Sequence, residues 1–318
     1  MMSASLTTGL GVRRLLVAAG QAPSVLNTQP WRFRVVRQEL VEVFADQDRR
    51  LRVTDPRGRN QYVSCGAALF NLRLAVRTSG RRPLVWLLPA PEDEPDLLAA
   101  VRLGVALPAS AEHRALYDLI PVRRTNRRPF YDRGVPRAVM AALRVAASRE
   151  GAALLPLDRH ATADMLDYAA IAEDELARDH DYRAEVAAWT MPGALYDGMP
   201  GYAHGPHAAK DPSPVRDFGR QEGEARFEER PQLAVLTTMG DTPADWLRAG
   251  QALQRVLLVA AGYDVSASFL NQPLDLRDMR DRRDPHHRRG HPQMVLRLGY
   301  GPHVARSPRR PAGELVTA

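Results

Sequence analysis

A chain of 318 residues with 45% hydrophobic and 25% charged residues can build a sizeable core, as one large domain or two medium ones, which excludes a disordered, collagenous or miniprotein reading. Its longest apolar runs, such as Val256 to Ala261, stop far short of the roughly 20 residues a membrane helix needs, and the single cysteine, Cys65, excludes an internal disulfide framework. The net charge of +7 rests on arginine, with Lys210 the sole lysine among 44 basic residues, so local arginine clusters carry more information than the total. No convincing cleavage site follows the first apolar stretch, and a cytoplasmic chain without membrane association is the expectation.

Apolar residues at helical spacing predict a first helix over 10–20, ended by Pro23, which disfavours a helical conformation in the residue before it. A loop runs to Pro30, and WRFRV at 31–35 alternates as a strand paired with 41–44. Leu69, Leu72, Ala75 and Val76 continue a helix from Cys65 to a glycine stop at Gly80. A proline-bracketed strand over 83–89, a turn at 91–95 and a helix from Ser110 to Leu119 follow. An arginine-rich turn leads to a helix that opens at Pro136 and ends near Gly151.

Beyond it, 152–157 reads as a strand, and Met165, Tyr168, Ala169, Ala172 and Leu176 mark one face of a helix. Residues 189–215 mix glycine, proline, aromatics and histidine without periodicity, and a loop of that length in a compact protein is usually functional. A strand over 232–239, a helix capped by Thr242 with Pro243 at its first position, a loop through ASFLNQP, a charged segment at 277–291 and a strand over 293–298 complete the chain. Strands and helices mix without regular alternation, which favours α+β over a doubly wound fold.

Several apparent motifs have plainer explanations. GLGVRR at 9–14 lacks the third glycine and the preceding strand of a dinucleotide fingerprint. His286, His287 and His291 lie among proline, glycine and dense charge, so a solvated loop outweighs a metal site. No GxSxG elbow or SxxK pair occurs, and Cys65 at the head of an apolar helix reads as buried and inert. Two segments stand apart. APSVLNTQPW at 22–31 offers hydroxyl and amide groups on one tight connection, suited to a flat heteroaromatic edge. RRTNRR at 123–128 concentrates four guanidiniums whose natural counter-ion is phosphate, with Arg309 and Arg310 a second basic pair. Because these arginines lack interleaved aromatic platforms, a nucleic-acid partner is not expected.

Taken in order, PSVLNTQPW at 23–31, SCGAALFNL at 64–72, RRTNRRPF at 123–130, LNQP at 270–273 and PQMVLRLGY at 292–300 resemble the nitroreductase superfamily of FMN flavoproteins, specifically its Acg-like branch. The resemblance implies an α+β nitroreductase-like fold in which two halves are fused into a pseudo-dimer, here residues 1–120 and 121–318, with a lid at about 189–215. It implies one FMN, a monomeric pseudo-dimer or a homodimer, and a small-molecule acceptor. Pro23, Ser24 and Asn27 would reach the cofactor from the first half. Arg124, Asn126, Arg127 and Arg128 would reach it from the second, with Arg309 or Arg310 completing the phosphate clamp. Ser268 and Phe269, in the segment from Ser266 to Leu270, would lie along the central ring, with Leu270 where ordinary members often have glycine. The implied activity is ping-pong hydride transfer from NADH or NADPH to a nitro, quinone or other conjugated acceptor, without a catalytic side chain or metal. The alternative is a flavin-sequestering protein whose lid stays closed.

Overall fold

The structure is a computed structural model that describes residues 9–190, 196–218, 223–276 and 290–317. Its first half runs α1 (Gly9–Gly20), β1 (Trp31–Val36), β2 (Leu40–Ala45), α2 (Arg59–Thr78), β3 (Arg81–Leu87) and β4 (Leu97–Ala106). After α3 (Ala111–Leu119) the same succession returns, beginning with α4 (Arg137–Ser148) and β5 (Ala153–Pro156). An insertion follows, holding α5 (Arg159–Arg178), α6 (His180–Thr190) and the two-residue strands β6 (His207–Ala208) and β7 (Glu224–Ala225). The succession then resumes with β8 (Gln232–Thr238), α7 (Pro243–Gly262), β9 (Ser266–Phe269), the short α8 (Gln272–Asp275) and β10 (His291–Gly299). The sheets have matching orders, β1-β2-β4-β3 and β5-β8-β10-β9, with antiparallel neighbours throughout.

Local signals explain the elements. Arg37 and Gln38 both take positive φ in the β1–β2 hairpin, the handedness that two-residue hairpin turns require. The helix expected from Cys65 begins earlier, at Arg59, because Gly58 adopts a left-handed conformation and the Asp55 carboxylate accepts the Gln61 N–H at 2.8 Å. Thr242 and Asp245 form a reciprocal capping box on α7. Strand β4 gives no alternating signal because Leu97 to Val101 are all buried in the middle of a sheet, and β9 occupies part of the expected 267–273 loop.

The two 20-residue helices α2 and α7 cross at Gly66 and Gly250, each the eighth residue of its helix, where the backbones touch. That equivalence and the repeated strand order are the structural basis of a fused pseudo-dimer. The first core packs Leu69, Leu72 and Val76 against Trp31, Phe33 and Val101, and the second packs Leu253, Val256 and Leu257 against Leu154, Leu236 and Leu296. Helix α5 covers the outer face of the second sheet through Leu166 and Ala169 on Leu233 and Val295. No helix among the described residues is long and apolar enough to cross a membrane.

An edge strand of each sheet is extended by a single bridge, from the C-terminal tail in the first sheet and from the linker in the second. Val316 bridges Phe33 of β1, and Thr125 bridges Ala267 of β9. The tail is fixed there by Arg310, whose buried guanidinium donates to Gln29 O, Trp31 O and Glu314 O and pairs with Asp46 at 3.5 Å. Arg310→Ala is therefore expected to lower stability by about 2 kcal/mol, since charge-assisted bonds are lost and acceptors are stranded, as measured by urea denaturation.

Candidate functional site

Two adjoining cavities open between the halves, of about 710 Å³ and about 530 Å³, and both are lined by Pro23, Ser24, Thr125 and Arg127. Each falls in the size range of a small-molecule or cofactor site. The larger is mainly apolar, with Val63 of α2, Leu253 of α7, Phe269 of β9, Met294 of β10 and Phe218 of the insertion on its walls, and Asn60, Ser64, Asn271, Arg216 and Asp275 as polar groups. The smaller is lined by Arg123, Arg124, Arg127, Arg306 and Arg309, with no carboxylate among its lining residues.

The loop over 23–29 is held in an uncommon shape. Leu26, Asn27 and Gln29 all have φ near +50°, at 47°, 55° and 49°, conformations that non-glycine residues adopt rarely and that cluster at functional sites. Bonds to distant segments hold them there. Ser24 Oγ accepts the Gln29 N–H at 2.9 Å, the Asn27 amide donates to Gly198 O at 2.8 Å and to Pro308 O at 3.2 Å, and its Oδ1 accepts from Arg309 at 2.8 Å. Gln29 donates to Tyr196 O and accepts from the Arg310 N–H.

At the arginine end, burial and like charge act in the same direction. Burial, then Arg124 and Arg306, push the Arg123 guanidinium down to about 10; burial, then Arg216, push Arg127 down to about 10. Burial, then Arg123, Arg306 and Arg124, push Arg309 down to about 9. Arg123 Nε and Nη1 and Arg309 Nε are buried without a hydrogen-bond partner. An unpaired buried cation is costly unless an anion or several acceptors meet it. The donor set therefore fits a phosphate.

Of the residues singled out from sequence, Pro23, Ser24, Asn27, Arg124, Arg127, Phe269 and Arg309 line the cavities. Asn126 and Ser268 do not: Asn126 donates to Ser266 Oγ and Pro302 O, fixing the linker beside β9, and Ser268 is buried beside Arg297. Arg128 turns its side chain to solvent and offers its carbonyl to Arg297. Arg310 faces Asp46, so of the tail pair Arg309 alone reaches the cavity.

From the segment expected to form a lid, Met199 borders the smaller cavity, and Arg216 and Phe218, just after that segment, border the larger. Trp189 belongs to α6, and Tyr196 and Tyr202 are about half exposed; none of these three rings lines a cavity. His204, one of the histidines of that segment, is buried, with Nε2 3.0 Å from Met199 O. Residues 191–195 of the lid, with His286 and His287, lie outside the described residues. Arg123, Arg306, Arg216, Phe218 and Asp275 were not singled out individually. Asn60 and Ser64 carried a signal, being polar residues four apart on a helix face that is otherwise apolar.

No protein-family model matches the chain. A curated Mycobacterium tuberculosis protein with the provisional name NAD(P)H nitroreductase Rv3131 is 33% identical over 319 residues, 96% of this chain and 90% of its own length. A second from that organism, the provisionally named NAD(P)H nitroreductase acg, is 28% identical over 96% of this chain and 94% of its own. Among solved structures, a nitroreductase with bound FMN from Bacteroides fragilis aligns at a TM-score of 0.39 and 14% identity, over 64% of this chain and 98% of that one.

Proposed function

Since the chain belongs to the NAD(P)H nitroreductase family, in the Acg-like branch, we propose that it is an FMN-dependent oxidoreductase that draws hydride from NADH or NADPH and delivers it to a nitro compound, quinone or other conjugated small acceptor. The observation that carries this reading is the two-ended cavity, five arginines without a carboxylate at one end and an apolar wall at the other. Bound there, FMN supplies the hydride chemistry. Arg123 and Arg309 hold its phosphate with Arg127, and Asn27 holds Arg309 in place. Val63, Leu253, Phe269 and Met294 give the ring a dry surface, and Asn60, Ser64 and Asn271 meet its polar edge. Asn126, Ser268 and Arg310 position the linker, β9 and the tail. Cys65 takes no part, since burial pushes its thiol up and Sγ donates to Pro30 O.

The reading divides the chain near residue 120, with one cofactor between the halves. Reductant and acceptor use the same apolar end in turn, which gives ping-pong kinetics without a catalytic side chain. Flavin storage is the second reading. It is favoured by the lid's bonds to cofactor-end residues, from Asn27 to Gly198 O and from Arg127 to Ala203 O at 3.0 Å. Anaerobic mixing of the yellow protein with NADH or NADPH separates the two. Bleaching followed by acceptor-dependent recovery of colour is the expected outcome. Persistent colour with both nucleotides, in protein that dithionite bleaches, favours storage.

A further inference from the structure

The arginine end holds more positive charge than one phosphate monoester neutralises. Five guanidiniums line it, whereas a phosphate monoester carries about −1.5 to −2 at neutral pH. The five form two tiers. Arg123, which is buried, and the half-buried Arg127 and Arg309, held on Ala203 O and the Asn27 amide, make up the inner tier. Arg306 is exposed on the tail and Arg124 is half-buried on the linker, where Nη1 is turned onto Pro121 O and Arg123 O at 2.9 Å in the latter case. These two outer cations are close enough for Arg306 to depress the Arg124 guanidinium, after burial. Among the described residues their acceptors are neutral: backbone oxygens for Arg124 and the Gln21 amide for Arg306. The lid also reaches this tier, through Tyr202 OH on Arg306 O at 2.8 Å.

We propose that Arg124 and Arg306 form a second anion site that receives the 2′-phosphate of NADPH, so that the enzyme selects NADPH over NADH. The proposal rests on the oxidoreductase reading, because it is the reductant that must enter a cavity whose inner phosphate site is already filled. A guanidinium fork matches a phosphate dianion, and arginine accommodates the 2′-phosphate in other dinucleotide sites. NADH has a neutral hydroxyl at that position, which leaves the two outer cations repelling each other.

The test uses the FMN-loaded protein, its Arg306→Ala and Arg306→Lys variants, and two readouts. In anaerobic reduction, kcat/KM is expected to favour NADPH by about tenfold or more. Arg306→Ala removes that preference through the KM for NADPH, Arg306→Lys keeps part of it, and the Kd for FMN moves by less than about twofold. In equilibrium competition, adenosine 2′,5′-bisphosphate is expected to bind about tenfold more tightly than adenosine 5′-monophosphate, and Arg306→Ala to abolish the difference. Equal use of the two nucleotides overturns the proposal. So does an Arg306→Ala variant that loses FMN tenfold, which would give all five arginines to one phosphate. A preference confined to phosphorylated acceptors assigns the pair to the acceptor and overturns it too. Reduction by neither nucleotide defeats the oxidoreductase reading alone; the bisphosphate competition then decides this proposal, and equal binding of the two adenosine phosphates overturns it.

Discussion

An alanine at position 250 is expected to cost about 3 kcal/mol or more of stability, an overpacking effect at the high end of its range. A Cβ there would lie 2.0 Å from Val63 O and 2.8 Å from the Gly66 Cα, and a Cβ on Gly66 would lie 2.3 Å from Leu247 O. The obstacles are backbone atoms on both sides, so no rotamer change relieves them. The helices must separate, and with them Val63 and Ser64 on one wall of the cavity and Leu253 on the other. Denaturant unfolding of Gly66→Ala and Gly250→Ala should show the loss, together with loss of bound flavin. Gly313→Ala is the control: nothing lies within 4 Å of its Cβ position, and a change within about 0.5 kcal/mol is expected. Wild-type stability in Gly250→Ala would contradict the crossing.

Replacing Arg123 by methionine is expected to move two quantities in opposite directions. FMN affinity should fall about tenfold to a hundredfold, equivalent to about 1.5–3 kcal/mol for charge-assisted bonds to the phosphate. Apoprotein stability should hold or rise by about 1 kcal/mol, because a buried cation with two partnerless nitrogens is exchanged for an apolar chain of similar length. The pH dependence has a definite sign. The folded-state value, pushed down to about 10 by burial, lies below the ordinary arginine value, so the unfolded chain binds more protons between the two. Wild-type apoprotein therefore regains stability relative to Arg123→Met as pH rises above about 10. Arg128→Ala, with its side chain in solvent, should leave FMN affinity within about twofold. Calorimetric titration of FMN into each apoprotein reads the affinities, and urea unfolding reads the stabilities.

The comparison of Arg123 with Arg128 shows how far the sequence reaches. A run of four arginines around Thr125 and Asn126 announces an anion site, but which of them face it depends on the turn that Asn126 and the Thr125–Ala267 bridge impose. The Arg309–Arg310 pair poses the same problem, and it is resolved by Asp46, a carboxylate far away in the chain. The loop over 23–31 was readable as a site from its density of hydroxyl and amide groups, but only the Ser24 to Gln29 bond is local; the partners of the Asn27 and Gln29 amides come from distant segments. Arg216 and Phe218 were not, since they reach the cavity from a stretch without periodicity through tertiary packing alone. Strand β4 was hidden for the opposite reason: burial on both faces erased the alternation that marks its edge neighbour β3.

The repeated topology also accounts for where the insertion falls. In the first half β1 and β2 are joined by a tight hairpin, while in the second the equivalent β5 and β8 are separated by α5, α6 and the lid segments. One of two equivalent connections has thus been expanded, and its Met199, Arg216 and Phe218 border the two cavities.

The most direct test of the account is the stoichiometry of FMN on the chain stripped of flavin, measured by calorimetric titration against chain concentration. One saturable site per chain, weakened in Arg123→Met and unchanged in Arg128→Ala, is the predicted result. No saturable binding, or two equal sites per chain, would contradict a single cofactor held between the two halves.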